Sequence, residues 1–185
     1  MKIRSFIAIN LPEEIKSYLA NFIRKIKRKN KADFIKWVEE KNLHLTLHFL
    51  GNLEKRQLEQ IDQILSFVVS KYRSFNLEIK EIDAFPNLSQ PKVLYIKCQE
   101  RNKDSLKKLR EEIGEGIKKI GLKIDKRSWQ PHVTIARVKK SIKLKIEGLK
   151  LPNLIFKVES IELMRSDLQK DGPVYSIISS YNLLK

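Results

Sequence analysis

From Leu43 to Phe49 the chain alternates apolar and polar residues without a break, as Leu43-His44-Leu45-Thr46-Leu47-His48-Phe49. A period of two is satisfied only by an extended strand that buries one face. It sends Leu43, Leu45, Leu47 and Phe49 toward a core, and His44, Thr46 and His48 to the opposite side. The pattern returns in Pro131-His132-Val133-Thr134-Ile135-Ala136-Arg137-Val138, where His132 and Thr134 oppose Val133 and Ile135. The whole sequence holds three histidines and two threonines, and both threonines stand two positions after a histidine. Random placement would produce that on the order of once in five thousand shuffles. The fold must therefore supply two half-buried strands, each presenting an imidazole beside a hydroxyl.

The remaining segments surround these strands with helices and further strands. Arg4–Ile9 reads as a strand, and Pro12-Glu13-Glu14 opens a helix whose apolar face is Ile15, Leu19, Phe22, Ile23 and Ile26. That helix ends in a basic block from Arg24 to Lys31, favourable against its dipole and equally suited to RNA contact. Phe34–Val38 and Leu43–Leu50 read as strands, the latter stopped by Gly51-Asn52. Leu58, Ile61, Ile64, Leu65, Val68, Val69 and Tyr72 mark a second helix, and Leu106, Leu109, Ile113 and Ile117 a third, despite Gly114 and Gly116. Phe75–Ile82, Val93–Cys98, His132–Val138, Phe156–Met164 and Val174–Tyr181 complete the strands. This order predicts an α+β class with largely antiparallel sheet.

With 42% hydrophobic residues over 185 positions, a packed core is within reach. No apolar run approaches the roughly 20 residues that span a bilayer, and Met1-Lys2-Ile3-Arg4 leads into a strand rather than a signal-peptide core. A soluble, cytoplasmic protein without membrane partners is expected. The single cysteine, Cys98, cannot pair within the chain and lies in phase with Leu94 and Ile96, so it reads as a small buried hydrophobe. The 38 Lys+Arg against 22 Asp+Glu give a formal charge of +16, which favours a polyanionic partner such as nucleic acid.

If the two motif strands lie together, two imidazoles and two hydroxyls converge. That set suits phosphodiester chemistry: one neutral ring removes a proton from the attacking oxygen, and one protonated ring supplies a proton to the leaving oxygen. Threonine hydroxyls hydrogen-bond the non-bridging oxygens as charge develops there. The arrangement calls for no metal and no cofactor, and His44 and His48, at i and i+4 of a strand, are badly spaced for chelation.

These residues resemble the 2H phosphoesterases, named for two His-x-Thr-x motifs, and in particular the RNA 2′,3′-cyclic phosphodiesterases historically called 2′-5′ RNA ligases. The resemblance runs through Arg4–Pro12, Lys36-Trp37-Val38, Asn42–Gly51, Pro131–Val138, Leu163-Met164-Arg165-Ser166 and Gly172-Pro173-Val174-Tyr175. It implies one domain over 1–185, built of two pseudo-symmetric lobes that each give a motif strand to a central cleft. It implies hydrolysis of a terminal RNA 2′,3′-cyclic phosphate to a 2′-phosphate, with His44 as proton donor to the leaving 3′ oxygen and His132 as acceptor. Thr46 and Thr134 would hold the phosphate, and Arg137 matches a family arginine near it. Strict alternation places Arg137 opposite His132, so that role requires the strand to end or bulge first; otherwise Arg137 is a surface charge. RNA ends or tRNA fragments would be the partners, and a monomer is expected.

Among departures, His48 stands where the family more often has a basic residue. It reads as a solvated strand residue sharing a face with His44, and Tyr95 replaces a tryptophan common in relatives. Phe6, Trp37 and Trp129 are candidate stacking surfaces, for which packing is the preferred reading. Two other activities fit the same residues: joining or cleaving 2′-5′ linkages in tRNA-derived or oligonucleotide substrates, and simple RNA binding by a basic module. Turnover of a cyclic-phosphate end separates the last from the rest.

Overall fold

The computed structural model describes residues 2–101, 104–125, 127–140, 142–170 and 172–185. Its elements are β1 (Ile3–Asn10), α1 (Glu13–Lys29), β2 (Ile35–Trp37), a 3₁₀ turn (Glu40–Asn42), β3 (His44–Leu53), α2 (Lys55–Val69), β4 (Phe75–Phe85), β5 (Val93–Glu100), α3 (Ser105–Lys119), β6 (His132–Val138), β7 (Leu154–Val158), β8 (Ser160–Gln169) and β9 (Gly172–Asn182). The α+β class is as the sequence predicts, and no described helix is long and apolar enough to cross a membrane.

Local chemistry accounts for the helices. Pro12 occupies the N-cap of α1 and Glu13 and Glu14 its first turn, where their charge suits the dipole. Ile15, Leu19, Phe22, Ile23 and Ile26 are all buried, each worth roughly 1.5–3 kcal/mol of removed apolar surface. A capping box of Glu54 and Gln57 starts α2. Gly116 sits inside α3, where glycine costs about 1 kcal/mol against alanine; a Cβ there would lie 2.7 Å from Ile64 Cγ2 of α2. The glycine is what lets the two helices approach.

The strands form one sheet in the order β7-β4-β5-β6-β3-β1-β8-β9, with β2 pairing β6 off that path, and every described strand pair is antiparallel. Its halves are alike. In one, β1 and β3 flank the chain of α1; in the other, β5 and β6 flank that of α3; β8 and β4 extend them outward. The halves meet where β3 and β6 share one rung, Leu45↔Val133, and where β2 pairs β6 from Ile35↔Val138 to Trp37↔Ala136. Val158 ends β7 at one edge, and Ser160 begins β8 near the other edge with only Glu159 between them. Such proximity of distant strands requires the sheet to curl back on itself. Helices and the main core cover one face, through Ile7, Ile9, Leu45, Leu47, Val133 and Ile135. A small second cluster of Phe6, Ala8 and Met164, with Tyr175 against it, lies apart from that core.

Besides small shifts at other strand ends, such as β4 running to Phe85 and β8 to Gln169, three features depart from the sequence expectation. Gly51-Asn52 does not stop β3, which runs on to Leu53. Leu50 is instead an extra residue in the pairing with β1, next to Gly51 at φ +72°; glycine takes that left-handed backbone without the penalty of a Cβ. The stretch Phe156–Met164 is two strands broken at Glu159. The third departure, a bulge in each motif strand, shapes the site.

Candidate active site

β3 and β6 are antiparallel neighbours, so their motifs face each other across the join of the two halves. Along β1, Ala8 pairs Thr46 but Ile7 pairs His48, leaving Leu47 as an extra residue. Along β5, Tyr95 pairs Thr134 but Leu94 pairs Ala136, leaving Ile135 extra. Both motif strands thus bulge at the residue after the threonine, and a bulge shifts the side-chain phase by one.

Two consequences follow. Arg137 returns to the face of His132 and Thr134 and is exposed there, which resolves the phase conflict in favour of the bulge. His48, by contrast, is turned away from His44. The expectation that it shares the cleft face as a solvated residue is overturned: it is 4% exposed, with Nε2 2.8 Å from the Arg110 carbonyl oxygen. Burial, first among its causes, lowers its pKa to about 4. Phe49, expected in the core, is 58% exposed and its ring lies 6.2 Å from that of Phe6.

The two motif histidines are held in the same way. His44 Nδ1 lies 2.7 Å from the Asn42 carbonyl oxygen, and His132 Nδ1 2.7 Å from that of Gln130. A carbonyl has no proton to give, so each Nδ1 carries the hydrogen and each Nε2 is left for chemistry. His44 Nε2 is 3.0 Å from Thr46 Oγ1. Two rings wall each imidazole. His44 has Phe6 at 5.0 Å and Tyr175 at 5.2 Å edge-on; His132 has Tyr95 at 5.0 Å and Phe85 at 5.3 Å. Tyr95 is itself buried, its hydroxyl donating to Asp83 Oδ2 at 3.1 Å, with its pKa pushed up to about 12 by burial and that bond.

Both imidazoles have lowered pKa values. For His44 burial dominates, opposed by the Asn42 carbonyl, while His132, Arg137 and Lys16 add positive charge that lowers it further. For His132 burial again leads, opposed by Gln130 and helped by Arg137. Each ring is backed by a neutral carbonyl rather than a carboxylate, so little offsets the cost of burying the cation. A cavity of about 160 Å³ opens beside His44, lined by Asn10, Lys16, Asn42 and Tyr175 among others. Arg137 acts on Tyr175 as well, which places its charge over both halves of the site.

Residues that the motif pattern did not mark hold the site together. The Thr46 carbonyl accepts a hydrogen bond from Trp129 Nε1 at 3.2 Å, and the Leu47 carbonyl one from Arg110 Nε at 3.1 Å. The Arg110 guanidinium stacks 4.7 Å from the Trp129 ring. Trp129 precedes Gln130, whose carbonyl fixes His132, so one indole ties the bulge of β3 to the latch of the other histidine. Trp129 therefore packs and bonds rather than offering a stacking surface, and Phe6, 3% exposed, is likewise packing. The latches are backbone atoms and leave no trace in residue type; Tyr175 could have been found in the Gly172–Tyr175 segment.

Residues 15–170 match the profile of the 2′-5′ RNA ligase superfamily. The chain is 34% identical to an RNA 2′,3′-cyclic phosphodiesterase of Methanocaldococcus jannaschii, covering 96% of this chain and 99% of that one. A Thermotoga maritima protein of the same name is 32% identical, over 95% and 92% of the two chains. The chain belongs to the 2′-5′ RNA ligase superfamily. Its structure agrees: the crystal structure of TT0787 from Thermus thermophilus aligns with a TM-score of 0.81 at 25% identity over 98% of each chain. That of Escherichia coli LigT with 3′-AMP aligns at 0.79 over the full length of both, at 20% identity, a likeness of fold.

Proposed function

We propose that this chain hydrolyses a terminal RNA 2′,3′-cyclic phosphate to a 2′-phosphate, with residues 1–185 acting as one two-lobed domain. The observation that carries the reading is the matched pair of latches: two imidazoles, each with Nδ1–H committed to a backbone carbonyl so that Nε2 is the reactive nitrogen, on adjoining antiparallel strands. Relatives named RNA 2′,3′-cyclic phosphodiesterase, matching over nearly the whole chain, support the substrate.

In the proposed step, neutral His132 accepts a proton at Nε2 from water as the water oxygen bonds to phosphorus. The P–O3′ bond breaks, and His44 donates its Nε2 proton to the departing O3′. Thr46 and Thr134 donate to non-bridging oxygens, and Arg137 balances their charge. The product is a 2′-phosphate and a free 3′-hydroxyl, and solvent resets the two protons. The lowered pKa values serve both roles. A buried His132 stays neutral and available as base, and a buried His44 cation is a stronger acid once an anionic substrate helps to charge it.

The division of labour is testable with a substrate whose 3′ bridging oxygen is replaced by sulfur, a leaving group that needs no proton. His44→Ala should lose at least about a hundredfold in kcat on the oxygen substrate and recover most of it on the sulfur one. His132→Ala should be impaired on both. Rescue of His132→Ala instead would reverse the assignment, and full turnover by either variant on the oxygen substrate would refute the mechanism.

A further inference from the structure

A large cavity among the described residues has no histidine in its lining. It is a groove of about 850 Å³ between the second half of α1 and β2. Arg24, Lys27, Lys31 and Lys36 line it, and among the described residues none of the four forms an ion pair with a carboxylate. Arg24 reaches only the neutral side chain of Asn21. The three carboxylates along the groove offset this in part: Glu39 is paired to Lys41, Glu40 accepts from Ser17, and Asp33 remains. The wall is built rather than loose. Asn30 is buried, donates to the Ile26 and Lys145 carbonyls, and accepts from the Lys145 amide, which pins the end of α1 to the segment after β6.

One residue of the groove adjoins the site. Lys36 of β2 pairs directly with Arg137 of β6, so the two side chains leave the same face of the sheet. Like charges opposite each other in an antiparallel pair are destabilising, and both are exposed with no carboxylate partner among the described residues. The helix dipole accounts for cations in the last turn of α1. It does not account for Arg24, more than a turn earlier, for Lys31 past the cap, or for Lys36 on a strand.

We propose that this groove is the track of the single-stranded RNA body that precedes the reacting end, entered from the site by way of Arg137 and Lys36. The inference rests on the cyclic-phosphodiesterase reading for its polarity and not for the binding itself. A chain of phosphates, unlike a single anion, meets cations spread along α1 and β2.

The test compares kcat/KM for a dodecamer ending in a 2′,3′-cyclic phosphate with that for a 2′,3′-cyclic mononucleotide. In Arg24→Glu/Lys31→Glu the dodecamer-to-mononucleotide ratio should fall at least tenfold. The slope of log affinity against log salt, read by fluorescence anisotropy on a dodecamer ending in a 2′-phosphate, should become shallower by roughly 1.4 for two lost phosphate contacts. Lys55→Glu/Lys108→Glu, an equal change of charge on α2 and α3, should leave the ratio within twofold. A ratio unmoved by the first pair, or moved equally by both, overturns the track. If the wild-type chain turns over neither substrate, the phosphodiesterase reading fails, and the anisotropy arm decides the track alone.

Discussion

Arg137 is the residue at which the two halves of the site are electrostatically joined, because its charge lowers the pKa of both His44 and His132. Burial is the larger cause for each ring and stays in place when the guanidinium is removed. Arg137→Met should therefore move both limbs of the kcat/KM profile to higher pH, toward the ordinary imidazole value of about 6.5, while lowering its maximum. The check is a pH–rate profile from pH 4 to 9. A lower rate with unmoved limbs would mean that Arg137 binds substrate without acting on the rings. At this scale the sequence was informative for the four motif residues, since alternation from Leu43 to Thr46 and from His132 to Thr134 is unbroken in the structure as well. It was silent on Asn42 and Gln130, whose contribution is a carbonyl that any residue owns.

At the scale of the element, period-two reasoning held through the residue after each threonine and failed at the next, His48 and Ala136. A bulge inserts a single position, and nothing in Leu47-His48-Phe49 distinguishes a bulged strand from a regular one. His48 and Phe49 accordingly exchange faces, while the equivalent shift after Thr134 buries Ala136 and turns out Arg137. The bulge of β3 needs donors for the Thr46 and Leu47 carbonyls, and Trp129 and Arg110 supply them. Trp129→Phe keeps an aromatic ring but leaves the Thr46 carbonyl without that donor. About 1 kcal/mol of stability should be lost. Because the indole also fixes the segment that latches His132, kcat should fall by about tenfold with little change in KM. Urea unfolding and steady-state kinetics measure the two effects; an unchanged kcat beside the stability loss would make Trp129 a packing residue only.

At the scale of the whole molecule the question is what, besides the rung between β3 and β6 and the short pairing of β2 with β6, keeps the two lobes from moving apart. Strand order was beyond the residue pattern, because which strands pair depends on contacts far along the chain; the class was legible from the order of elements, and the join of two lobes at the motif strands only through the family resemblance. The curl brings the end of β9, at one edge of the sheet, to the chain segments that serve the other half. Leu183 N donates to the Glu159 carbonyl at 2.9 Å, Leu184 N to that of Tyr72 at 2.8 Å, and Ser74 N to that of Leu184 at 2.7 Å. The Leu183 side chain is buried in the main core. Leu183→Ala should cost about 2–4 kcal/mol, the range for deleting a buried leucine side chain. Removal of 183–185 should cost more, because three hydrogen bonds of about 1 kcal/mol each are lost as well. Urea titration of the two variants gives the comparison. If the truncated chain unfolds at the wild-type midpoint, these ties do not close the curl, and the lobes are held by the packing of α2 on α3 across Gly116 instead. If it unfolds early, the separation of the two histidines depends on a terminal segment that touches neither of them.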